Sequence, residues 1–126
     1  MKVLSIIECA YRATIEEQDD TVVWLMHALK GAGAAIDVLL RGDAVNYAVR
    51  GQDASGLAFG GWRQTEPPRI EQQLSSLTAK GVTVYALADD LAERGLVPMD
   101  LLPGIESLQP QALAELVPRY DRVWHW

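Results

Sequence analysis

Short apolar runs that alternate with amphipathic helical stretches constrain this chain more than any other feature. Lys2–Glu8 is a brief run rich in Val, Leu and Ile, the pattern of a buried strand. Asp19 or Asp20 then offers an N-cap, and Val22, Leu25, Met26 and Leu29 recur at spacings of three and four, the stripe of an amphipathic helix. Gly31 or Gly33 ends that helix. Ala35–Leu40 reads as a second strand, Arg41-Gly42-Asp43 as a turn, and Asp43 as the cap of a short helix through Arg50. Ile70, Leu74 and Leu77 mark another helix, closed by Gly81, and Val82–Leu87 a third strand. Asp89 or Asp90 opens a helical turn that Gly95 closes. Ile105–Leu108 adds a short strand, Gln111–Val117 a last helix, and Val123–Trp126 a terminal strand.

The order β-α-β-α-α-β-α-(β)-α-β calls for right-handed crossovers. The expected fold class is therefore α/β: one domain over residues 1–126, with a mainly parallel five-stranded sheet and helices on both faces. Lys2–Glu8 has almost no polar alternation, which predicts a central strand buried on both sides. Residues 51–68, with Gly51, Gly56, Gly60, Gly61, Pro67 and Pro68, read as a long irregular loop, and 52–66 as its most mobile part.

Composition removes several function classes. The formal net charge is −6, and residues 8–20 hold Glu8, Glu16, Glu17, Asp19 and Asp20 against Arg12, so the cationic footprint of a nucleic-acid binder is missing. The bland reading of that acidic stretch is a solvated loop feeding a helix N-terminus. No apolar run approaches the length of a membrane span. The run at Met1–Ile7 is interrupted by Ser5 and stopped by Glu8, which argues against a secretory signal. One cysteine forms no internal disulfide and fits a reducing, cytoplasmic compartment.

In parallel sheets ligands bind outside the carboxyl ends of the strands. Segments 8–18, 41–43 and 88–95, together with the 51–68 loop, reach that edge. The ligand-binding candidates are Glu8, Cys9, Gly42, Asp43, Asp89, Asp90 and Arg94, with Cys9 and Asp90 as weak catalytic candidates. A thiol after a strand is reactive if its pKa is lowered, yet free cysteines are also often buried, and an inert, partly buried Cys9 is the expectation. Asp89 and Asp90 are read as a cap, with a carboxylate pair facing the edge as the alternative. An acid/base role for Glu8, Asp89 or Asp90 is a third, weaker class.

Gly31-Ala32-Gly33 follows a helix and precedes a strand, the reverse of a dinucleotide loop, and neither a phosphate-binding Gly-Lys loop nor a Gly-x-Ser-x-Gly elbow is present. His27, His125 and Cys9 contain no close ligand pair. The expectation is therefore no metal and no cofactor. Trp62 in Phe59-Gly60-Gly61-Trp62-Arg63 docks on the domain's own core, or else serves a lid or a partner contact. Trp124 and Trp126 alternate on the terminal strand, within reach of an interface.

Leu40-Arg41-Gly42-Asp43-Ala44-Val45, followed by Ala48 and Gly51-Gln52, resembles the DsrE-like (DsrE/DsrF/DsrH-type) family of small sulfur-relay proteins. Lys80-Gly81-Val82, Val84-Tyr85-Ala86, Arg94-Gly95-Leu96 and Tyr120-Asp121-Arg122-Val123 match its layout. The resemblance spans nearly the whole chain. It implies a three-layer α/β/α fold, a homo-oligomer (trimer or hexamer) and a sulfur-relay partner protein. Active members carry a persulfide on a cysteine in the loop before Arg-Gly; counting back from Arg94, that position falls at about Asp90. The resemblance thus implies an oligomeric subunit or small-ligand-binding protein without persulfide chemistry of its own. The alternative is a sulfurtransferase or sulfur carrier with Cys9 as acceptor.

Overall fold

A computed structural model describes residues 1–11 and 20–126. The elements are β1 (Lys2–Ile7), α1 (Thr21–Gly31), β2 (Ala35–Leu40), a 3₁₀ helix (Gly42–Ala48), β3 (Ala58–Phe59), β4 (Trp62–Arg63), α2 (Ile70–Ala79), β5 (Val84–Leu87), α3 (Ala88–Glu93), β6 (Ile105–Leu108), α4 (Pro110–Leu116) and β7 (Arg122–His125). Five strands form one sheet in the order β6-β5-β2-β1-β7. Every neighbouring pair in it is parallel, with Val3 opposite Ile36 and Val84 opposite Ile105.

Alternation along the strands divides the core into two layers. Val3 and Ile7 of β1, with Ile36, Val38 and Leu40 of β2, face α1, α2, α3 and the 3₁₀ helix. Leu4 and Ile6, with Leu39 and Leu108, face α4 through Leu116. Val3 to Ile7 are all buried, as a strand covered on both faces requires. The middle strand is nevertheless β2; β1 lies one place from it, because the chain returns through β7 to cover its outer edge.

Two helix starts show how the chain satisfies its orphan N–H groups. Asp20 is the cap of α1 and accepts the N–H groups of Val22 and Val23, both at 3.0 Å. Asp19 and the charged residues Arg12, Glu16 and Glu17 lie outside the described residues, as does most of the 8–18 segment. At α2 the preceding residue, Arg69, supplies no capping side chain. Asp53 reaches across instead and accepts from Glu71 N (3.0 Å) and Gln72 N (3.2 Å).

Several expectations are corrected. Residues 51–68 are not irregular throughout: β3 and β4 pair antiparallel across Gly60-Gly61, with Phe59 opposite Trp62. Gly56 is packed so closely that an added Cβ would lie 2.0 Å from the Gln64 carbonyl oxygen. Trp62 does not dock on the core; it stays exposed and packs against Phe59, with ring centroids 4.9 Å apart and the ring planes tilted by 38°. Asp43 does not cap the helix at Gly42–Ala48, whose start has no side-chain cap. Strand β5 begins at Val84 rather than Val82, because Thr83 N already turns to the Asp37 carboxylate (2.8 Å).

Candidate functional site

The carboxyl ends of the central strands are knitted by backbone hydrogen bonds. Arg41 N donates to Ile7 O (3.0 Å), Ala44 N to Glu8 O (3.2 Å), and Glu8 N to Trp126 O (3.0 Å). These bonds bring the loop after β1, the turn after β2 and the end of β7 to one place. Glu8 sits at the junction: its carboxylate takes the Arg41 Nε at 2.9 Å on one oxygen and the His125 Nε2 at 3.1 Å on the other.

A second cluster joins the turn after β2 to α3. Gly42 has φ +56°, a left-handed conformation that favours glycine, and its N–H points at Asp90 Oδ2, 2.7 Å away. Arg94 binds Asp43 Oδ1 at 2.7 Å and donates to the Asp90 carbonyl at 3.1 Å. Hydrogen bonding to Asp43 raises the Arg94 pKa further, so this group is a fixed cation. Gly42, Asp43, Asp90 and Arg94 thus form one connected patch.

Neither Asp89 nor Asp90 is the cap of α3. The helix begins directly after Leu87, which has no capping group, and both acids lie in its first turn. There they still favour the positive end of the helix dipole. Consecutive helical residues do not face each other. Asp90 is therefore engaged with Gly42 while Asp89 is exposed, and the alternative of a facing carboxylate pair is not realised. Cys9 is exposed, not partly buried, because the chain leaves the sheet immediately after Ile7.

The sequence reading did not include Arg41 and His125 in this site. Arg41 follows β2 directly, a position that could have signalled it; His125 depends on β7 lying beside β1, which no local pattern announces. A network behind the site, buried at Asp20 and Tyr47, was also missed. The Tyr47 hydroxyl donates to the buried Asp20 carboxylate and accepts the Tyr11 N–H. Burial, reinforced by Asp20, pushes the Tyr47 hydroxyl pKa far above its usual value. The Tyr11 hydroxyl donates to Gln52 Oε1 (2.8 Å), and the Gln52 amide donates to the carbonyls of Asn46, Tyr47 and Val49 at 2.9–3.1 Å. Tyr11 itself has φ 55°.

Among the described residues, no group of three His, Cys, Asp or Glu side chains could hold a metal ion, and no helix is long and apolar enough to cross a membrane.

No curated protein matches the chain. Solved structures do. The ychN protein from E. coli is 23% identical, with a TM-score of 0.72 and 100% of each chain covered. MTH1491 from Methanobacterium thermoautotrophicum, a protein of unknown function, is 16% identical, with a TM-score of 0.66 over 98% of this chain and 97% of its own. BT1422 from Bacteroides thetaiotaomicron, likewise of unknown function, is 14% identical, with a TM-score of 0.69 over 99% and 95%. At these identities the likeness concerns the fold. The model of the DsrE/DsrF-like family matches residues 6–125, from the first strand to the last, and the chain belongs to that family.

Proposed function

We propose that this chain works as an oligomeric DsrE-like subunit that binds a partner protein or a small ligand and carries no sulfane sulfur at the family's thiol position. The observation that carries the reading is the Asp90–Gly42 bond of 2.7 Å. A carboxylate forms no persulfide, and this one is already committed to holding α3 against the turn after β2. Exposed aromatics support assembly, since Phe59 and Trp62 on the hairpin and Trp24 on α1 are of the types enriched at interfaces; the number of copies, a trimer or hexamer, rests on the family resemblance alone.

A second reading is favoured by the exposure of Cys9 at the same sheet edge: a sulfur carrier whose acceptor is Cys9. One experiment separates the two. The protein is incubated with a persulfide donor, and each thiol is assayed by mass spectrometry in the parent, in Cys9→Ser and in Asp90→Cys, while light scattering gives the assembled mass. The leading reading expects a multiple of 13.9 kDa and no stable persulfide in the parent. A helix start stabilises a thiolate, so Asp90→Cys should accept sulfur. Persulfidation of Cys9 in the parent, with none at position 90 in Asp90→Cys, would replace the leading reading by the second. A monomer would remove the assembly role.

A further inference from the structure

The two edges of the five-stranded sheet, β6 and β7, are not alike. The β6 edge is guarded: Glu106 sits within the strand, Pro103-Gly104 precedes it and Pro110 follows it. Charges and prolines of this kind keep edges from pairing. In β7 the residues between Arg122 and His125 are Val123 and Trp124, with neither an acid nor a proline. Among the described residues no strand pairs with its outer side. The chain has a net charge of −6, yet residues 117–126 carry Arg119 and Arg122 against Asp121, so two copies repel weakly here.

Pairing with β1 sets the direction of the backbone groups at this edge. Trp126 turns both of its groups inward: its N–H donates to Ile6 O at 2.9 Å, and its carbonyl accepts from Glu8 N at 3.0 Å. Strand alternation therefore turns those of Val123 and His125 outward. The Val123 side chain is 42% exposed. Beside it lies an apolar hollow of about 470 Å³, lined by Leu25 and Leu29 of α1 and by Val123, Trp124, His125 and Trp126. The aromatic wall is preset: Trp126 Nε1 donates to Ser5 Oγ at 2.9 Å, and the Trp124 and Trp126 rings meet edge to face, 6.5 Å apart.

We propose that a second copy of this chain covers this edge, joined β7 to β7 antiparallel about a two-fold axis at Val123. In that register each Val123 N–H donates to the Val123 carbonyl of the other copy, and the two sheets become one. Antiparallel geometry then sets Arg122 opposite Trp124 and Asp121 opposite His125 of the other copy. Arg122 donates to its neighbour's carbonyl, that of Asp121, at 2.9 Å and is exposed, so it is free to turn onto the face of that indole. The Asp121 carboxylate meets an imidazole. Symmetry makes each contact twice, so the edge is complementary to itself. The same step brings the two hollows together and removes Leu25, Leu29 and the tryptophans from water. The proposal rests on the assembly part of the reading above and names the surface. A hexamer contains two-fold contacts and a bare trimer does not, so it selects the hexamer.

The test compares the mass of the full chain by light scattering in the parent, in Val123→Lys and in Val123→Pro. Lysine on an edge strand opposes pairing, and proline removes the outward N–H without costing the chain a ladder bond of its own. The parent should be an even multiple of 13.9 kDa and each variant half of it. The His125 amide should exchange about tenfold faster in Val123→Lys than in the parent. An assembled parent whose mass is unchanged in either folded variant, or is an odd multiple, overturns the proposal and leaves the assembly reading standing. A monomeric parent overturns both. Amide exchange of Val123 in the assembled parent needs no variant: slow exchange supports the pairing, and exchange as fast as in an exposed loop overturns it.

Discussion

The two ends of the sheet hold their carboxylates in different ways. Toward the amino ends, Asp37 of β2 is only 6% exposed. It accepts from the Tyr120 hydroxyl at 2.7 Å and from Thr83 N at 2.8 Å, and Lys2 Nζ lies 3.2 Å away while also sitting over the Tyr120 ring. Toward the carboxyl ends, Glu8 and Asp43 bind Arg41, His125 and Arg94 in contact with water. A buried carboxylate with fixed donors is costly to disturb, whereas exposed ion pairs exchange readily with solvent and are worth little. The contrast sets Asp37 among fixed donors at one end against Glu8 and Asp43 in exchangeable contacts at the other, in front of the buried Asp20–Tyr47 pair and where ligands bind in this class of sheet.

The largest effect is expected at Asp37. Asp37→Ala strands the Tyr120 hydroxyl, the Thr83 N–H and the Lys2 ammonium, and should cost about 3 kcal/mol in urea unfolding. A loss smaller than that of any carboxyl-end variant would break the comparison. The same group predicts acid sensitivity. Burial alone would raise the Asp37 pKa, but the bonds from Tyr120 and Thr83 and the charge of Lys2 outweigh it and hold it below the usual carboxylate range. A depressed folded-state pKa stabilises above the unfolded value, near pH 4, and that stability is lost as pH falls through the folded value. Unfolding midpoints measured from about pH 6 downward should fall in the parent and flatten in Asp37→Asn.

Asp90→Ala should come next, at about 1–2 kcal/mol, the worth of one charge-assisted bond to a backbone N–H. A variant clearly more stable than the parent would mean that Asp90 stores repulsion against its acidic neighbours, the mark of a functional compromise. Glu8→Ala should cost less than about 1 kcal/mol because its pairs are exposed. Asp89→Ala, with no partner to lose, should stay within about 0.5 kcal/mol. If Glu8→Ala cost as much as Asp37→Ala, the two ends would not differ as described.

Much of this architecture was legible because burial direction is written locally. The unbroken apolar run of β1 required cover on both faces, and the three-and-four spacing from Val22 to Leu29 required an amphipathic helix. The site was legible in part. Glu8, Gly42, Asp43, Asp90 and Arg94 were recognised as edge residues, but their partners were not. Gly42 and Asp90 are 48 residues apart, and their bond depends on β2 and β5 being neighbours. The hairpin at Ala58–Arg63 escaped because strands of two residues are too short for a period to register.

By itself, the sequence determined the alternation of strand and helix, the parallel sheet that follows from it, and a single cysteine placed directly after the first strand. Each of these depends on residue type and spacing along a single element, which hydrophobic patterning and glycine stereochemistry make readable. Only the tertiary structure decided that Asp90 holds Gly42 instead of capping its own helix, that Glu8 gathers Arg41 and His125, and that Cys9 faces solvent. Those outcomes depend on which strands become neighbours and where their ends fall. Both are settled by the joint packing of the helices on the sheet, and no local window of residues contains that information.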